Sequence, residues 1–85
     1  MRPYTELKNT HTVERIFTPD VDEQELVWHR DRKDREVRVI GDTDWMFQFD
    51  NELPQLLKNV IFIPRNTYHR VIKGTTNLTV HILED

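Results

Sequence analysis

The chain reads as an all-β sandwich or barrel. Short runs of β-branched and aromatic residues recur at intervals of about 8 to 12 residues, turn residues stand between them, and no stretch carries a helical period. The 85 residues make one domain, which on folding buries roughly 60 to 65% of its unfolded surface. That suffices for one thin core between two layers. The composition is globular, 36% hydrophobic and 32% charged, but its apolar side is lean, and a homodimer would add buried area.

Composition also narrows the function. Without cysteine there is neither a disulfide nor a thiolate metal site, which leaves His, Asp and Glu as ligands and suits the cytoplasm. A net charge of −3 argues against a nucleic-acid binder held by a positive field. The amino terminus does not resemble a signal peptide, and no apolar run approaches the roughly 18 residues of a membrane span. A soluble, cytoplasmic protein is expected.

In chain order, residues 1–12 (MRPYTELKNTHT) are polar and form an N-terminal arm or edge segment. Val13 to Phe17 is a short strand, ended by the turn chemistry of Thr18-Pro19-Asp20. The run Asp20 to Glu25 holds four carboxylates but lacks the oxygen spacing and glycine of a calcium loop, so it reads as a solvated loop. Glu25 to Asp31 (ELVWHRD) reads as the second strand, with Val27, His29 and Asp31 on one side under the period-2 rule. Arg35 to Ile40 is the third strand and Trp45 to Phe49 the fourth, its three aromatics on one face as core or dimer surface. Gln55 to Lys58 is a connector or edge strand.

Val60 to Ile63 is wholly apolar and reads as a strand buried on both faces. It runs into Pro64-Arg65-Asn66-Thr67-Tyr68-His69, where Pro64 denies the next ladder bond and Asn66 tolerates the left-handed backbone of a tight turn. Val71-Ile72 continues from there, and Leu78 to Ile82 closes the chain as an alternating strand. His81 and His11 read as structural or solvated, and Asn77-Leu78-Thr79 as a chance glycosylation match.

A strand with His29-x-Asp31, a hairpin, and a strand ending Pro64-x-Asn66-x-x-His69 resemble the two motifs of the cupins. The likeness spans about Leu26 to Ile82 and implies a single-domain cupin-type jelly-roll β-barrel. It is sharper in the second motif, where Asn66 replaces the turn glycine and His69 falls on the ligand histidine. Lys58 and Lys73 stand where the motif has a glycine and an asparagine. In the first motif His29 takes the first ligand position and Asp31 replaces the second histidine. The carboxylate position falls on Arg35 or Glu36 according to the gap, and strand parity favours Arg35, which brings Val37 and Val39 inward. The whole is also similar to short cupin-like proteins of marine bacteriophages, which bring no assigned activity with them.

The resemblance implies that His29, Asp31 and His69 form a two-histidine, one-carboxylate set for a divalent metal, Fe, Mn or Ni. An arginine in the same pocket opposes a cation unless an anion lies between them, so Arg35 either pairs with Asp31 in a metal-free pocket or clamps a small anionic ligand beside the metal. A related reading is a non-catalytic module that binds such a ligand through Arg35, with help from His69 and Tyr68. A third is a structural or regulatory homodimer with Trp28, Trp45 and Phe47 partly at the contact. The 2-oxoglutarate oxygenases share the His-x-Asp…His order but carry an arginine some ten residues past the second histidine, and Thr79 to Leu83 holds none.

Overall fold

Residues 3–9 and 12–84 are described by the structure, a computed structural model. Their strands are β1 (Thr5–Lys8), β2 (Thr12–Phe17), β3 (Arg35–Ile40), β4 (Met46–Phe49), β5 (Gln55–Leu56), β6 (Val60–Ile63), β7 (His69–Ile72) and β8 (Leu78–Glu84). A single 3-10 turn, Glu23–Glu25, interrupts them, and no helix among the described residues is long and apolar enough to cross a membrane. Five strands form one antiparallel sheet in the order β1-β2-β8-β3-β6, and three form a second in the order β5-β4-β7. The result is a jelly roll of two facing sheets.

Alternation fills the space between them. In β8, Leu78, Val80 and Ile82 point inward beside Val37 of β3 and Phe17 of β2, and Trp45, Phe47 and Leu57 meet them from the smaller sheet. Trp45 is fully buried and Phe47 is 3% exposed, so these two aromatics are core and not subunit contact; Trp28 remains at the surface. The arm expected at the amino terminus supplies β1, the outer strand beside β2, while His11 lies outside the described residues.

Two expectations are overturned. Glu25 to Asp31 is not a strand: Asp22 caps the 3-10 turn through Gln24 N–H, and beyond it only His29 makes a bridge. Alternation in the sequence was real, but the acidic residues before it favour a capped turn over a ladder. Nor is Val60–Ile63 buried on both faces. Ile61 and Ile63 are 8% and 4% exposed, whereas Val60 and Phe62 are 51% and 58% exposed, because alternate side chains of β6 lie on the outer face of the larger sheet, which no second layer covers.

Turn chemistry places the loops. Asn51, Asn59 and Asn66 all take left-handed backbone, with φ of 62°, 61° and 61°. At the far end of the sandwich Asp44 accepts hydrogen bonds from the N–H groups of Thr75 and Thr76 and from both hydroxyls, sewing the β3–β4 loop to the β7–β8 turn. These bonds hold its carboxyl well below the usual range, that from the Thr75 hydroxyl most of all. Gly74 is required there, since a methyl group would approach the Asp44 carbonyl carbon to 2.8 Å.

Candidate metal centre

His69 is positioned by a strand and His29 by the bonds that strand leaves free. Asp50 N–H donates to Tyr68 C=O, which sets the phase of the β4–β7 ladder so that His69 turns its own N–H and C=O away from β4. His29 takes both, through bonds of 3.0 and 2.9 Å. Opposed residues of an antiparallel pair project to the same face, so the imidazoles meet with ring centroids 4.3 Å apart. Asp31 is brought in by the preceding turn. Asn66 N–H donates to Asp31 C=O at 2.7 Å and Arg65 N–H to the Asp34 carboxylate at 2.8 Å, strapping the loop from Leu26 to Asp34 against the β6–β7 turn.

The ring nitrogens are already divided by role. His29 Nδ1 lies 3.0 Å from Val27 C=O and His69 Nδ1 lies 2.8 Å from Thr67 C=O. A carbonyl only accepts, so each Nδ1 carries a proton and, in the neutral ring, Nε2 is the nitrogen that presents a lone pair. His69 is 3% exposed and stacks on Phe47 at 5.6 Å. Burial pushes its pKa below the ordinary imidazole value; His29 and Arg35 add to this, against the Thr67 bond and Asp31.

One donor atom each from His29, Asp31 and His69 lies within 4.8 Å of the others. Asp31 Oδ2 is buried and makes no hydrogen bond, yet sits 3.4 Å from His69 Nε2. Two acceptors therefore face each other with no proton between them, an arrangement that a cation satisfies. By this test the residues fit a divalent ion, and backbone carbonyls on the far ring nitrogens are the support that metal-binding histidines have.

Arg35 lies on the inward side of β3 with Val37. Its Nη1 is 3.3 Å from Asp31 Oδ2 and its Nε donates to Glu84 at 3.0 Å. The guanidinium thus faces two carboxylates, and Asp31 stands between it and the imidazoles. Glu36 points outward and pairs with Arg38 at 2.9 Å. Tyr68 does not join the group: it is half-exposed, stands outside the cavity, and lies under the Arg30 guanidinium at 5.3 Å. His81 makes a surface pair with Glu14 at 2.7 Å.

A cavity of about 280 Å3 runs from this cluster between the sheets, walled mainly by apolar side chains such as Phe17, Leu26, Phe47 and Val80. Its far wall carries residues that sequence reasoning passed over. Tyr4 comes from the amino-terminal arm, and Arg15 stacks on its ring at 4.4 Å while its Nε donates to Glu6 at 2.7 Å. The period-2 pattern of β2 contained the signal for Arg15, which shares a face with Phe17. Nothing local marks Glu84 as the partner of Arg35, since they meet only through the β3–β8 register.

No protein-family model matches the chain, and no curated protein does. Solved structures do share its architecture. An RmlC-like cupin family protein with a double-stranded β-helix fold from Methanocaldococcus jannaschii superposes with a TM-score of 0.73 at 10% identity, over 99% of this chain and 81% of that one. A cupin domain from Bordetella pertussis gives 0.64 at 20% identity, over 100% and 97%. A DMSP lyase structure gives 0.71 at 19% identity, over 86% of this chain but only 36% of that one. The chain has the cupin double-stranded β-helix fold; the narrower likeness to phage proteins is not among what these structures show.

Proposed function

We propose that this is a cytoplasmic metal-binding protein of cupin fold, in which His29, Asp31 and His69 hold a divalent transition metal beside a cavity for a small ligand. The observation that carries the proposal is the buried Asp31 Oδ2, which makes no hydrogen bond although Arg35 Nη1 is 3.3 Å away, and which is turned toward the unprotonated face of His69. Iron, manganese or nickel bound there supplies Lewis-acid polarisation of a ligand oxygen. The protein supplies the rest. Val27 and Thr67 carbonyls fix the imidazole tautomers, and Arg35, itself balanced by Glu84, holds the Asp31 carboxylate in place at the edge of the donor set.

The cavity defines the ligand coarsely. At about 280 Å3 it falls just under the roughly 300 Å3 at which pockets for drug-sized molecules begin, so a small metabolite fits. Its walls suit an apolar body, and an anionic group is drawn toward Arg35 and the metal.

The test is the metal content of the protein after incubation with Fe(II), Mn or Ni, beside the double variant His29→Ala, His69→Ala. We expect near-stoichiometric metal in the native chain and none in the variant. Equal, background metal in both overturns the proposal. The pocket would then be a metal-free Arg35–Asp31 pair, a reading supported by their 3.3 Å contact, and small carboxylates should raise the melting temperature unless Arg35 is replaced by alanine.

A further inference from the structure

The outer strand β6 lacks the devices by which edge strands are kept from pairing. Its four residues Val-Ile-Phe-Ile include no charge, proline or bulge. The other edges are guarded: β1 carries Glu6 and Lys8, β5 is two residues long after Pro54, and the open side of β7 at His69 is taken by His29.

The ladder phase identifies what β6 offers. Val39 N–H donates to Asn59 C=O at 2.8 Å, and in the β3–β6 register Ile61 and Ile63 then exchange bonds with Val37 and Arg35. Val60 and Phe62 therefore direct their N–H and C=O groups to the open edge. These are also the residues whose side chains are 51% and 58% exposed.

We infer that β6 is a self-association surface, pairing antiparallel with β6 of a second copy of this chain about a two-fold axis through Ile61. In that register Val60 stands opposite Phe62 of the second copy, so every free donor on the edge meets a free acceptor. The outer face gains two aromatic–β-branched pairs, and Ile61 meets its own copy on the inner face. A two-fold axis through Phe62 fails, because it opposes Val60 to Pro64, which has no N–H to give.

Charge permits the joint. Arg38 beside Val60 and Glu36 beside Phe62 are paired to each other at 2.9 Å, so the charges next to the strand on β3 are balanced within each copy, and the exposed Lys58 and Arg65 lie beyond the paired residues at its two ends. Asn59, at φ 61°, and Pro64 end the strand on either side, and two-fold pairing uses up the whole edge. The assembly closes as a dimer and does not extend as a fibre. A joint of two short strands is at the small end of specific interfaces, so the dimer forms only as concentration rises.

The test combines sedimentation velocity from micromolar to millimolar concentration with amide hydrogen exchange on the same samples. A monomer–dimer equilibrium is expected, in which protection of the Val60 and Phe62 amides rises with concentration while that of Ile61, already bonded to β3, stays constant. Phe62→Lys changes an exposed side chain and leaves the core intact; it should weaken association by about tenfold or more. A monomer at every concentration overturns the inference. So does concentration-independent protection of Val60 and Phe62, which would mean that the chain covers its own edge, and so does a dimer that forms while these amides stay open.

Discussion

His29 and His69 face each other across one pair of backbone hydrogen bonds, yet the segments that carry them are built by different means. His69 begins a regular strand, is buried to 3% exposure and rests on Phe47. His29 lies in an irregular strap, is exposed, and is fixed by its bonds to His69 and by the grip of the β6–β7 turn on Asp31 and Asp34. One histidine belongs to the core and the site together, the other to the site alone. Stability and binding should therefore separate at the two positions.

His69→Ala makes the largest difference. It removes a buried ring and leaves the Thr67 carbonyl without its donor, a loss of about 2 to 4 kcal/mol in denaturant unfolding. His29→Ala should stay within about 1 kcal/mol, since its backbone bonds survive. Metal content should fall alike in both variants, and equal stability losses would erase the distinction drawn here.

Asn66 tests the strap from the side of the turn. Asn66→Val forces a β-branched residue into φ 61° and should cost about 1 to 2 kcal/mol, whereas Asn66→Gly should lie within about 0.5 kcal/mol of the native chain. The same measurement reads both.

The Asp44 corner offers a control far from the histidines. Its carboxyl is held below the usual value in the folded state, so the unfolded chain binds the proton more readily. The stability that Asp44 contributes is complete above about pH 4 and declines as the pH falls below that. Asp44→Asn should flatten that part of an acid-unfolding profile and leave metal content unchanged.

What could be read in advance divides along the same line. β4, β8 and the Pro64 to His69 turn were legible because their signals are local: alternation for the strands, and two residues with restricted backbones for the turn. Glu25 to Asp31 reads as a strand in the sequence because Val27, His29 and Asp31 do alternate, while the bonds that hold His29 and Asp31 come from residues some 35 positions later. The apolar run of β6 gave its existence but not its place at the edge, which depends on the order of the whole sheet. Within the site, the inward parity of Arg35 was readable from β3, but its sharing between Asp31 and Glu84 required the β3–β8 register.

The bonds between His29 and His69 join main chain to main chain and are indifferent to which side chains stand there. The spacing of the two positions is thus a property of the frame and not of its fittings. Replacing either imidazole by another donor would keep both side chains on one face, at the same separation, over the same cavity. The backbone support is kept when a side chain changes, most cheaply at the exposed His29, whereas a replacement at His69 must also refill the core against Phe47.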